Sequence, residues 1–217
     1  MNYKDIQVLI EEGEGFRVEF KRKVSSPEKI AKTLIAFANT KGGTILFGVD
    51  DDKSIVGIGS EKEEAEMIET AGKYFCEPPI EPKIEIISHR GLDVIAAFIP
   101  ESNEKPHYHL PEKENGERSA TNVFIRVKDK TVEASKEVVR VLEAENPNAP
   151  PVRIAIGDAE ERLFDHLDGN ERITVNEFAK LVNVSRRRAS RSLVGLVRAG
   201  VLRIHTHEKE DYFTRAF

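Results

Sequence analysis

The stretch Asn183–Gly200, NVSRRRASRSLVGLVRAG, decides how the C-terminal third of the chain is read. Asn183-Val184-Ser185 is a tight turn, and Ser185 stands where its hydroxyl can accept from the unpaired N–H groups at a helix start. Gly200 supplies the stop. Between them Ala189, Leu193, Leu196 and Val197 recur at helical spacing and form an apolar stripe for a core. Arg187, Arg191, Val194 and Arg198 recur at intervals of three or four on another face. Arg186, Arg187 and Arg188 fill the first turn, where positive charge opposes the helix macrodipole. A placement with that cost is explained if the turn binds anions.

Working outward, Asp158–Leu167 and Asn176–Leu181 read as two earlier helices joined through Ile173-Thr174-Val175. After Gly200, Val201–Thr206 and Tyr212–Arg215 read as short β segments around the polar tip Glu208-Lys209-Glu210-Asp211. Helix, helix, turn, helix and hairpin is the order of a winged helix-turn-helix, expected over 153–217. In that arrangement the start of the third helix reaches base edges. Arginine suits the task because its planar fork pairs with guanine O6 and N7 or clamps a phosphate. The expected nucleic-acid contacts are therefore Arg186, Arg187, Arg188, Arg191 and Arg198. The acids of the wing tip would repel phosphates, so the wing is not expected to grip DNA. His205 and His207 alternate along a strand and are read as surface residues rather than a metal pair. A basic helix in a module used for protein contacts is the alternative reading.

The formal charge of -5 hides this asymmetry. From Pro151 onward there are twelve Lys/Arg against ten Asp/Glu, whereas the first 150 residues hold 21 against 28. Between Lys180 and His207 lie seven basic residues and no acid. Cys76 is the chain's one cysteine, so no internal disulfide can form, which fits a reducing cytoplasm; a buried, inert thiol is expected. No apolar run approaches the roughly 20 residues of a membrane span, and the acidic start MNYKDIQVLIEEGEG does not resemble a secretory signal.

Glu145–Pro151, with three prolines, marks the expected linker at 145–152, leaving a domain at 1–144. There, helical and strand patterns alternate. A helix over Asn2–Glu12 ends at Gly13, and Phe16–Lys21 alternates as a strand. Ser26-Pro27 opens a helix with the stripe Ile30, Leu34, Phe37 and Ala38, stopped by Gly42-Gly43. Thr44–Val49 is apolar throughout, as in a strand covered on both faces. Asp50–Lys53 turns the chain into Ile55–Ile58. A helix over Glu61–Tyr74 follows, then strands near Lys83–Ser88 and Leu92–Phe98. Ser102–Asn122 is a polar surface loop, which would leave His107 and His109 exposed. Val123–Val127 is a strand, and Ser135 opens a helix through Val138, Val139 and Leu142. The fold class is α+β, a mixed-sheet domain followed by the winged helix.

Three blocks of this first domain, EGFRVEFK (Glu14–Lys21), AFANTKGGTILFGVDD (Ala36–Asp51) and VFIRVKDKTVEA (Val123–Ala134), resemble the Schlafen, Alba-2 type domain. The resemblance covers roughly Ile6 to Leu142. It implies DNA or RNA binding, and bacterial members often carry a winged helix after the domain. Some members are metal-dependent endoribonucleases, and their three acids match Glu14, Glu19 and Asp51, with Asp50 adjacent. The resemblance thus implies a possible Mg²⁺ or Mn²⁺ site at which those acids act. Clustered carboxylates do bind such cations, which activate water. Glu14 and Glu19 have opposite parity in a straight strand, and Gly13 and Gly15 would permit the bend that joins them. Read without the resemblance, Glu19 is the exposed face of a strand and Asp50–Asp52 a turn. Lys41-Gly42-Gly43-Thr44 lacks the lysine of a P-loop, so no ATP site is expected. Lys128 and Lys130 are further candidate phosphate contacts. The expected function is a DNA-binding transcriptional regulator, with a metal-dependent endoribonuclease as the alternative and a protein-binding adaptor as a third. DNA is the expected partner, RNA a possible one, a homodimer possible, and no membrane.

Overall fold

The computed structural model describes residues 3–112, 119–146, 149–151 and 153–217. Asn2 of the expected first helix, residues 113–118 of the expected loop, and Pro147, Asn148 and Val152 of the expected linker lie outside them. Contacts divide the chain into Met1–Glu133 and Ala134–Phe217. The division falls before the Ser135 helix, not after it as the prolines suggested, because that helix packs within the C-terminal unit.

In the first unit, α1 (Tyr3–Glu12) leads into β1 (Val18–Lys21), α2 (Pro27–Ala38) and β2 (Gly43–Phe47). Ser26 caps α2, its hydroxyl accepting from Lys29 N at 3.3 Å, with Pro27 in the first turn. The chain continues through α3 (Glu61–Tyr74), β3 (Cys76–Glu77), β4 (Lys83–His89), β5 (Leu92–Ile99) and β6 (Tyr108–His109). It closes with the hairpin β7 (Phe124–Val127) and β8 (Lys130–Glu133). Four strands form a mixed sheet in the order β1-β2-β5-β4. β1 and β2 are parallel, and β5 runs antiparallel to both β2 and β4. The Ile55–Ile58 stretch is no strand; it makes one bridge, Ile55 to Val49.

β2 is buried at all five positions, as its unbroken apolar run requires. Period-2 alternation splits its side chains between two cores. Ile45 and Phe47 pack with Ile30, Leu34 and Phe37 of α2 and Ile68 of α3. Leu46 packs with Val18, Phe20, Val94 and Ala96 beneath Ile6 and Ile10 of α1. Gly42 has φ of 67°, and a Cβ there would stand 2.6 Å from Ile99 O; one on Gly43 would meet the Phe37 ring at 2.5 Å. The glycine pair is a helix stop that admits close packing.

The second unit begins with α4 (Lys136–Glu145) and continues with α5 (Asp158–Gly169), α6 (Val175–Leu181) and α7 (Arg186–Arg198). β9 (Leu202–His205) and β10 (Tyr212–Arg215) pair as an antiparallel hairpin, and Ile173 bridges to Phe213. Leu163, Phe178, Ala189, Leu193, Leu196, Leu202 and Phe213 form its core. Among the described residues no helix is long and apolar enough to cross a membrane.

Candidate nucleic-acid interface

α7 is fixed at its start by Ser185, whose hydroxyl accepts from Arg188 N at 3.3 Å. Ala189, Leu193 and Leu196 hold it in the core. Arg186, Arg187, Arg188, Arg191 and Arg198 are all exposed. The first four have no hydrogen-bond or ion-pair partner among the described residues, while Arg198 donates to Pro150 O at 2.8 Å.

Val194 does not belong to this exposed face. It is 5% exposed and its neighbour Ser190 is 3% exposed. Ser190 donates to Glu137 at 2.6 Å and accepts from Arg140 at 2.8 Å, both on α4. A second helix therefore lies along one flank of α7, a contact between residues some fifty positions apart that periodicity within α7 cannot show. The hairpin acids are held locally: Glu210 accepts from Asn176 at 2.9 Å and Asp211 from His207 N at 3.1 Å. His205 bonds Thr214 at 2.9 Å and stacks on Tyr212.

In the first unit the three acids Glu14, Glu19 and Asp51 are not brought together. Among the described residues no three His, Cys, Asp or Glu side chains are grouped to hold a metal ion. Each acid has another occupation or setting. Glu14 accepts from Phe20 N at 2.8 Å, covering a backbone donor of the edge strand β1. Glu19 is buried at 7% exposure and bonds Arg126 and Lys21, with Thr33 Oγ1 at 3.5 Å. Asp51 lies exposed in the turn after β2, where the adjacent Asp50 pairs with Arg22 at 2.6 Å. A carboxylate already neutralised by two cations is a poor ligand for a divalent ion, so the donor set does not fit Mg²⁺ or Mn²⁺.

Arg126 is the residue the sequence reading missed. It is 1% exposed, the largest fully buried side chain among the described residues. Besides Glu19 it donates to Thr131 at 3.1 Å, Gly15 O at 2.8 Å and Asp129 O at 2.9 Å, and it lies 4.7 Å over the Phe37 ring. The available signal was an arginine inside the apolar run Phe124-Ile125-Arg126-Val127. The turn it anchors presents Lys128, at φ 57°, and Lys130, both exposed.

The histidines of the 102–122 segment also differ from expectation. His107 is 2% exposed, its ring bonded to Pro78 O and Ser102 Oγ, each at 2.7 Å. Asn39 fixes the same loop: its side chain accepts from His107 N at 2.8 Å and donates to His107 O at 3.0 Å and Phe124 O at 3.1 Å. Burial lowers the pKa of His107 and of His109 below the ordinary imidazole value. Both histidines are buried, His109 at 3% exposure.

The family profile described as Schlafen, AlbA_2 matches residues 14–135, more than half of the chain. The chain belongs to that family. The Schlafen, AlbA_2 match contains all three blocks around Arg126 and ends close to the Glu133 limit of the first unit. No curated protein matches. Among solved structures, the N-terminal domain of a RecG-related protein from Nitrosomonas europaea is similar at 23% identity and a TM-score of 0.41. That similarity covers 59% of this chain and 94% of the other. A Corynebacterium diphtheriae protein is similar at 13% identity and a TM-score of 0.47, over 76% of this chain and 36% of its own.

Proposed function

We propose that the protein binds duplex DNA as a transcriptional regulator, with its second unit acting as a winged helix-turn-helix. The carrying observation is the start of α7: Arg186, Arg187, Arg188 and Arg191 are exposed in a stretch that contains no acid from Lys180 to His207. The order α5, Ile173 bridge, α6, turn, α7 and hairpin supports a winged helix. Membership in the Schlafen, AlbA_2 family supports a nucleic-acid-related role. In this reading the first unit adds affinity or assembles two copies, with Lys128 and Lys130 as phosphate contacts. Glu19 serves the scaffold, so the reading is binding without cleavage. The buried Cys76 thiol, its pKa pushed up by burial, fits a reducing cytoplasm.

The test is fluorescence anisotropy of the full chain against duplex DNA, single-stranded DNA and RNA of one sequence. Duplex DNA should bind tightest. Replacing Arg187 and Arg191 with alanine should weaken it and lower the slope of log affinity against log salt, since a cation that meets a phosphate beside the base edge releases about 0.9 counterion. Preference for RNA, or an unchanged slope in a folded double variant, would overturn the reading.

A further inference from the structure

A second basic feature lies wholly within the second unit. A groove of about 530 Å³ between α4, the segment near Pro150 and the C-terminal half of α7 is lined by Arg140, Arg153, Arg191 and Arg198. An adjoining hollow of about 560 Å³ shares Arg153 and Arg191 and adds Arg188. The segment between them crosses α7 closely: Ile154 Cγ2 is 3.7 Å from where a Cβ on Gly195 would stand. Cationic side chains thus form one track from the first turn of α7 to its last. Two carboxylates, Glu143 and Glu160, line these hollows. Glu160 is already bonded to Ser192 and to Gly157 N. Arg153 and Arg191 have no acidic partner among the described residues. Like charges gathered in a groove repel one another, and a bound anion removes that cost.

Dimensions say which anion. A major groove is about 12 Å wide, a helix with its side chains about 10–12 Å across, and packed helices lie about 8–10 Å apart. α4, lying against α7, cannot enter the groove beside it. When the first turn of α7 meets base edges, α4 must ride on the groove wall, which is sugar and phosphate. Arg140 lines the groove with one of its nitrogens held by Ser190, itself bonded to Glu137.

We propose that the groove formed by Arg140, Arg153 and Arg198 seats the phosphate backbone of the duplex whose bases the first turn of α7 reads. This rests on the duplex-binding reading above. Phosphate contacts position a protein and base contacts specify its site, so the two sets of arginines should separate in experiment.

The full chain, Arg153→Gln and the double variant Arg140→Gln/Arg153→Gln are titrated against several duplex sequences at about 50–200 mM salt. The log–log salt slope should fall by about 1 for Arg153→Gln and about 2 for the double variant. Every duplex should lose affinity by the same factor, leaving the order of preference unchanged. Arg153 is exposed and has no partner among the described residues, so its single variant keeps the test valid if the double variant misfolds. An unchanged slope in folded Arg153→Gln overturns the assignment. So do losses that differ between sequences, which would mean base readout, and tighter binding in the double variant, which would make α4 a cover over α7. If the parent chain binds no duplex, the winged-helix reading falls as well. If the parent binds through Arg187 and Arg191 but is indifferent to Arg153, the groove assignment alone falls.

Discussion

Replacing Arg126 with methionine should unfold the first unit at much lower denaturant while leaving the second unit intact. Methionine keeps the length of the side chain and its contact with Phe37 but removes every polar bond. The loss comprises the ion pair with Glu19, the Thr131 bond and the two carbonyl bonds to Gly15 and Asp129. Removing one partner of a buried pair costs about 3–5 kcal/mol, because the other charge stays behind unpaired. Glu19 keeps Lys21, whose side chain is 36% exposed, so the lower end, about 3 kcal/mol, is expected. With a urea dependence of about 1–3 kcal/mol per molar, the midpoint should fall by about 1–3 M. Cys76 provides a reporter confined to this unit: it is the chain's one cysteine, 0% exposed, and reacts with a thiol reagent when the core around α2 and α3 opens. Glu19→Gln should cost about 1.5–3 kcal/mol, the value of a hydrogen bond to a charged group. The double variant should cost less than the two singles together, since the pair is then already gone. A thiol-labelling midpoint in Arg126→Met within about 0.3 M of the parent, at unchanged urea dependence, would refute the reasoning.

Ser185→Ala should cost about 1 kcal/mol of stability in the second unit through loss of the α7 cap; an unchanged melting curve of that unit, followed by hydrogen exchange of α7 amides, would show that the hydroxyl is not capping. Stability of the first unit should also fall on mild acidification. His107 has its folded pKa lowered by burial, so the unfolded chain binds the proton first; the contribution is complete above about pH 6.5 and is lost as pH falls through the lowered folded value. Cys76 labelling midpoints at about pH 7.5 and 5.5 should differ less in His107→Asn than in the parent, and an equal drop would remove His107 as the cause.

What was legible in the sequence is what is decided locally. The caps Ser26, Ser135 and Ser185, the stops at Gly42-Gly43 and Gly200, and the core stripe Ala189, Leu193 and Leu196 all depend on neighbours within a few residues. The errors share the opposite property. Val194 was assigned to the basic face because three arginines share its stripe, yet the element that covers it, α4, begins 58 positions earlier at Lys136. His107 and His109 were assigned to the surface because their segment is polar. Asn39, reaching across 68 positions, draws that segment inward. Read without the resemblance, Glu19 was the exposed face of a strand, and Arg126 drew no reading at all, because charged side chains are rarely buried alone. Their burial becomes acceptable only together, and 107 positions separate them.

The metal triad was implied by the family resemblance, and among the described residues its three acids are not grouped to hold an ion. The blocks that make the family recognisable are Glu14–Lys21, Ala36–Asp51 and Val123–Ala134. They meet around one buried network: Glu19 from the first, Phe37 and Asn39 from the second, and Arg126 from the third. A charge pair desolvated in a core tolerates little substitution, because removing either member strands the other. Glu19, Phe37, Asn39 and Arg126 thus hold the three blocks together from within, while Lys128 and Lys130 lie exposed on the hairpin turn that Arg126 anchors.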